Sequence, residues 1–223
     1  MKSLKKFDSI NEFYRFSDVL INDQWKIEKQ LLKERVEVYK NHFLFKSMKE
    51  DFENKNISIF QLKDEEVITW LDTLILLRRT LNNISNQFVD LSKIIILMEY
   101  PLIYGNHMRV DYIILIERLV IVLEFGMFNQ DERRSEERFT KKLQESIAYR
   151  QIITNSVEQS LNIVNYVMIY KPEYDRKSNE SLESNLAYNF QEVITLSKFI
   201  ATKISEQNRL SALNQFILLE KHR

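Results

Sequence analysis

Hydrophobic and polar positions divide this 223-residue chain into stretches of two different periods. From Ile10 to Glu53 Lys, Glu, Leu and aromatic residues recur with no Pro or Gly, which predicts helix, and Asn54 to Asn56 predicts a turn. A second helix is expected over Asp64–Asn82. Val67, Trp70, Leu71, Leu74 and Leu81 recur there at helical spacing, and Asp64, Glu65 and Glu66 occupy the N-terminal turn, where the helix dipole favours acids. The period then shortens. "KIIILMEYPLI" (Lys93 to Ile103) is an unbroken β-branched run, the signature of a strand covered on both faces. After the loop "YGNHM", the stretch "RVDYIILIERLVIVLEFG" (Arg109 to Gly126) holds two apolar runs meeting at Glu117-Arg118, a hairpin without the favoured Asn-Gly turn. A charged helix is expected over Asp131–Thr154, with Phe139, Leu143, Ile147 and Ile152 as its apolar stripe. Leu161–Tyr170 is the fourth strand, Glu173–Asn189 a polar loop, and helical periodicity returns near Glu192 and over Leu210–Leu219. Helices, three strands, a helix, a strand and helices again predict an α/β fold: a mixed central sheet flanked by helices on both faces.

Composition narrows this picture. The chain is 44% hydrophobic and 29% charged, enough to fill one large core, and 32 basic residues balance 32 acidic ones. Zero net charge argues against a protein that coats nucleic acid along its whole surface, while allowing a local basic face. With no cysteine, disulfides, thiol catalysis and zinc–thiolate sites are excluded. The basic start is followed by Asp8, Asn11 and Glu12 in place of an apolar segment, and no apolar run approaches the ~20 residues of a membrane span. The expectation is a cytoplasmic protein with no membrane contact.

The strands carry three acids that need explaining, because an ionised carboxylate buried in a strand costs several kcal/mol unless it is paired or bound to metal. Glu99 closes the first strand, Asp111 opens the second and Glu124 closes the third. Antiparallel pairing of the three would bring all of them to one end of the sheet. The plain alternative is that Asp111 sits at a strand edge and pairs with Arg109 or Arg118. Clustered carboxylates repel unless a hard divalent cation lies between them, and Mg²⁺, which takes one or two carboxylates, waters and phosphate oxygens, suits such a set.

These residues resemble a known family. "MEYPLIYGNHMRVDYIILIERLVIVLEFG", preceded by the Trp70 helix, is similar to the core of the PD-(D/E)XK nuclease superfamily, the restriction-endonuclease-like fold. More closely, it resembles the nuclease-like segment found ahead of helicase-like ATPase domains in uncharacterised bacterial proteins. Glu99-Tyr100, the run Arg109 to Ile114 and the run Val120 to Gly126 correspond to that segment's motifs, and the likeness spans Val67 to Tyr170. The resemblance implies a nuclease-like α/β domain over 61–223 preceded by a helical N-terminal extension over 1–60. It implies a divalent-metal-dependent nuclease, a hydrolase acting on DNA phosphodiesters and so DNA-binding, with Mg²⁺ or Mn²⁺ held by Asp111, Glu124 and Glu99. It allows an ATPase or helicase partner acting in trans.

One position departs from the family. Where the family has Lys two residues after Glu124, sharing its face of the strand, this chain has Gly126. Either the lysine comes from elsewhere, with Lys141, Lys142 and Lys171 as candidates and Lys141 taken as the catalytic one, or hydrolysis is impaired and the domain binds nucleic acid or a protein partner. In related nucleases a Gln and a Tyr four residues apart point from the next helix towards the site. Here Gln144 and Tyr149 are five apart, about 140° around a helix where four would give about 40°. Gln144, Tyr149 and Arg109 are therefore candidate nucleic-acid contacts, with Glu145 as a substitute for the Gln and core packing as the alternative for Tyr149. Six basic residues (Arg133, Arg134, Arg138, Lys141, Lys142, Arg150) interleave with acids, which reads as a solvated helix with pairs such as Glu137–Lys141 or as a phosphate-facing surface. His42, His107 and His222 have no ligand spacing; His107 precedes Asp111 in the loop. No Ser/His/Asp set, P-loop or dinucleotide fingerprint occurs.

Overall fold

The computed structural model describes residues 3–27, 32–55, 61–86, 89–102, 108–128, 132–157, 161–171 and 179–221. His107, His222 and the expected start of a helix at Asp131 lie outside them. Strands β1 (Lys5–Phe7), β2 (Ile95–Pro101), β3 (Arg109–Ile116), β4 (Leu119–Met127) and β5 (Asn162–Tyr170) form one sheet in the order β1-β2-β3-β4-β5. The first three pairings are antiparallel and β4–β5 is parallel. The parallel pair needs a crossover, which helix α5 (Glu132–Ser156) supplies. The expected α/β class with a mixed sheet is observed.

The sheet separates two apolar layers. On one face Tyr112, Ile114, Ile121, Leu123 and Phe125 pack with Trp70, Leu71 and Leu74 of α4 (Asp64–Ser85) and with Leu196 and Ile200 of α6 (Asn179–Lys221). On the other, Leu97, Ile113, Val120 and Val122 pack with Tyr149, Ile152 and Ile153 of α5. Strands covered on both faces account for the unbroken apolar runs. Glu117 turns β3 into β4 at φ 51°, so the hairpin closes through a left-handed residue without Asn-Gly.

Among the described residues before Asn56, β1 and the helices that follow it pack into this core. β1 pairs with β2, an edge strand too short to give a periodic signal. Leu4, Phe7 and Phe13 share the α4-side core with Phe45, Met48 and Phe52. The stretch expected to run as continuous helix forms α1 (Ile10–Asn22), α2 (Leu32–Tyr39) and α3 (Phe43–Lys55). Ser9 caps α1 by accepting from the Glu12 amide at 3.2 Å, while Glu12 accepts from the Asp8 amide at 2.8 Å. Asp72 of α4 receives both guanidinium arms of Arg35 from α2 (2.7 and 2.8 Å) and the Trp25 indole N–H (2.8 Å), all at fully buried Arg35 and Asp72. This triad ties α2 to the helix beneath the sheet.

Two further expectations are corrected. The polar loop placed over Glu173–Asn189 is helical from Asn179 onward, in one piece with the helices expected near Glu192 and Leu210. Asn189 anchors that helix: its amide donates to the Lys171 carbonyl (2.6 Å) and its oxygen accepts from the Lys171 N–H (2.8 Å). The inward side of α5 carries Ser135, Lys142, Ser146, Tyr149 and Ile153; of the expected stripe Ile152 packs on the sheet, whereas Phe139 is 41% exposed. Among the described residues no helix is long and apolar enough to cross a membrane.

Candidate functional site

Hydrogen-bonded pairing of β3 with β4 ends at Tyr112–Leu123, and the next pair, Asp111 and Glu124, is joined through side chains instead. Glu124 Oε1 accepts from the Asp111 amide at 3.1 Å, and Asp111 Oδ2 accepts from the Phe125 amide at 2.8 Å. Each carboxylate thereby satisfies a backbone N–H that the ladder has left open, and both acids are fixed at the splayed end of the sheet.

The lysine at these carboxylates is Lys142. From α5 its Nζ donates to Glu124 Oε2 at 2.6 Å and to Asp111 Oδ2 at 3.2 Å. Lys141, taken from the sequence as the catalytic lysine, points outward and reaches Glu145 at 3.9 Å, and Glu137, its expected partner, pairs with Arg133. The one-residue difference turns the side chain by about 100° on the helix, from solvent to sheet. Lys171 lies between the Phe128 and Tyr188 rings, 4.3 and 4.2 Å from their centroids. The plain alternative offered Asp111 a partner in Arg109 or Arg118; Arg109 pairs with Glu99 and Glu66, and the ion pair seen at Asp111 is with Lys142.

Gly126 makes room for Arg138. It shares a strand face with Glu124, the face that α5 covers. A Cβ built there would lie 3.5 Å and 3.6 Å from Cδ and Cγ of Arg138, and 2.5 Å from Cδ1 of Ile169. The Arg138 stem thus lies over the bare strand, its guanidinium donating to the Met127 carbonyl at 2.8 Å. Lys142 follows one helical turn later.

Glu99 reaches the same end of the sheet, opposite Asp111, through the expected antiparallel pairing. It holds φ 50°, a left-handed conformation that a non-glycine residue adopts at a cost of about 1–2 kcal/mol and that concentrates at functional sites. Strand alternation inverts there: Leu97 faces α5, as do Tyr100 and Leu102. The Glu99 carboxylate is 2% exposed and paired with Arg109 Nε, while Arg109 Nη2 donates to Glu66 of α4 at 2.9 Å. The Arg109 guanidinium also stacks on Trp70 and Phe52. Arg109, expected to touch nucleic acid, is thus engaged within the protein.

Burial pushes Glu99 up to about 8, the Arg109 charge pulling it down and the Asp111 carboxylate raising it. Glu124 is likewise pushed well above the usual carboxylate range by burial and by Asp111, against the pull of Lys142. For Lys142, burial opposes the charge, but Asp111 and Glu124 outweigh it and hold the ammonium above its ordinary value. The two partners' shifts favour opposite states of the Glu124–Lys142 pair. The ammonium that both acids hold charged sits 2.6 Å from Glu124 Oε2, and this close opposite charge favours the ionised pair.

Glu66, Glu99, Arg109, Asp111 and Lys142 line a cleft of about 350 Å³ together with Thr69, Thr73, Arg138 and Tyr170, while Glu124 lies fully buried behind Asp111 and Lys142. Tyr170 is 1% exposed, and its hydroxyl has no hydrogen-bond partner among the described residues. Glu66, Arg138 and Tyr170 were not picked from the sequence: Glu66 reads as a dipole acid, Arg138 as part of a solvated run, and Tyr170 as an apolar strand end. Gln144 is exposed, and Tyr149 is buried in the α5-side core. Burial raises the Tyr149 hydroxyl, with Glu124 adding to it.

Two carboxylates sharing one ammonium make a pocket whose geometry already accepts a cation, so the Asp111–Glu124 pair suits one hard divalent ion completed by waters. Glu99 is drawn aside by Arg109, and among the described residues no group of three or more His, Asp or Glu side chains is arranged to hold a metal. No protein-family model, curated protein or solved structure matches the chain.

Proposed function

We propose that this chain is a divalent-metal-dependent nuclease-like protein acting on DNA phosphodiesters, with its lysine supplied by helix α5 in place of the strand. The observation that carries this reading is Lys142 Nζ within 3.2 Å of Asp111 and 2.6 Å of Glu124, reaching both acids from α5 where the strand itself offers only Gly126. Asp111 and Glu124 would hold Mg²⁺ or Mn²⁺. When bound there, such an ion polarises a phosphate oxygen and lowers the pKa of a coordinated water. Lys142 supplies a positive charge beside the phosphoryl oxygens, where charge develops in the transition state, and a donor that orients the attacking water. Glu99 is paired with Arg109, so Asp111 and Glu124 are the acids that would hold the ion. The test is cleavage of DNA by the purified chain with Mg²⁺, Mn²⁺ and chelator, beside Asp111→Ala.

A second reading has its own support: the Lys142 ammonium satisfies both carboxylates without any metal. The same geometry would then serve a catalytically impaired nuclease-fold module that binds nucleic acid or a protein partner. Metal-dependent cleavage lost on Asp111→Ala excludes this alternative.

A further inference from the structure

Where Asp111 and Glu124 hold a divalent ion as proposed, Lys142 stands at the position that ion would take. We propose that the Lys142 ammonium is a resident counter-ion seated at the cation position between Asp111 and Glu124, and that a divalent ion binds by displacing it into the cleft.

Three observations support displacement. The ammonium bonds the same two oxygens, Asp111 Oδ2 and Glu124 Oε2, that face each other across the strand pair and would face a shared ion. A monovalent ammonium and a divalent ion cannot both sit at bonding distance from that pair without strong repulsion, so one excludes the other. The lysine has somewhere to go: its side chain is 25% exposed whereas Glu124 is fully buried, and it borders the 350 Å³ cleft. Asp111 and Glu124 are held by backbone amides as well, so they keep their places when the ammonium leaves.

The chemistry of this exchange favours an anionic ligand. With the ammonium seated, its charge is spent on two carboxylates that still leave a net negative charge, so this end of the cleft offers little to a phosphate. After displacement the freed ammonium stands in the cleft beside the ion, and both attract the same phosphate. Metal and phosphodiester should therefore bind cooperatively, each strengthening the other. In the absence of substrate the lysine keeps metal affinity low.

Calorimetric titration of the full chain with Mn²⁺ alone tests this. Lys142→Met should bind Mn²⁺ about tenfold or more tightly than the unaltered protein, within the usual range of coupling between sites, and Asp111→Asn should weaken binding by a similar factor. Equal or weaker Mn²⁺ binding by Lys142→Met overturns the displacement while leaving the metal site standing. No Mn²⁺ binding by either protein overturns the displacement and the metal site together. A second measurement needs no variant and decides the matter where Lys142→Met does not fold. Reductive methylation of the unaltered chain, read by peptide mass spectrometry with and without Mg²⁺, should show Lys142 modified several-fold faster with Mg²⁺, within the same coupling range, and Lys141 unchanged. Unchanged or slower modification of Lys142 in Mg²⁺ contradicts the proposal.

Discussion

Lys142 Nζ lies 2.6 Å from Glu124 Oε2, joining helix α5 to a fully buried residue near the end of strand β4. Glu124 is fully buried, so removing the ammonium leaves its charge uncompensated. Lys142→Met should destabilise the protein at neutral pH by about 3 kcal/mol, the scale for breaking a buried pair from one side. In that variant the Glu124 carboxyl is raised by burial with no opposing ammonium. A raised carboxyl binds its proton more tightly folded than unfolded, so stability is greatest at low pH and falls as pH rises past the unfolded value. The penalty should therefore shrink on acidification, which urea unfolding at pH 5 and pH 8 would measure. An equal loss at both pH values would contradict the buried-charge explanation.

Glu99 carries a pH dependence of its own in the unaltered chain. Burial is the main cause that pushes its carboxyl up from the ordinary 4.5 to about 8. Folding thus favours its protonated form, and its contribution to stability, present below 4.5, is lost as pH rises towards 8. Glu99→Gln cannot ionise, so its stability profile should fall less over that window than that of the unaltered protein. Parallel profiles from denaturant unfolding would show that Arg109 keeps Glu99 ionised throughout.

Gly126 is expected to be replaceable at modest cost. The atom nearest an added Cβ, at 2.5 Å, is Cδ1 of Ile169, the free end of a side chain. Gly126→Ala should cost about 1 kcal/mol through local overpacking. Ile169→Val deletes that methyl, so the double variant should be more stable than the sum of the two single changes implies. Thermal unfolding of the four proteins gives the coupling, and simple additivity would contradict the contact.

The Arg35–Asp72 pair makes a separate prediction, away from the site. Both residues are fully buried, and Asp72 also takes the Trp25 N–H. Asp72→Ala should destabilise by about 3–5 kcal/mol because it strands the guanidinium. Adding Arg35→Met should recover part of the loss, which chemical denaturation can resolve.

The strands and the meeting of Asp111, Glu124 and Glu99 were legible because β-branched runs and acids at their ends leave strong local signals. Antiparallel order alone then brings such ends together. What escaped the sequence was carried by tertiary contacts. β1 is three residues long and is defined only by its pairing with β2. The polar stretch before Asn189 is helical because Asn189 clamps the Lys171 backbone and α6 lies against α4 and β5. The sheet-facing side of α5 holds Ser135, Lys142 and Ser146, so hydrophobic periodicity chose Phe139 instead and made Lys141 as plausible as Lys142. A helix that lends polar groups to a site hides its inner face for that reason. Gly126, visible from the start as the missing lysine, became intelligible only with Arg138 lying over it.

The central claim is that Asp111, Glu124 and Lys142 form one metal-dependent phosphodiester site. Its most direct test is the rate of DNA cleavage by the purified chain in Mg²⁺ or Mn²⁺, compared with Asp111→Ala and Lys142→Met. The account expects cleavage that chelator abolishes, with each variant slowed by about 100-fold or more. A chain that cuts no DNA in either metal, or that cuts equally well after Asp111→Ala, would contradict it.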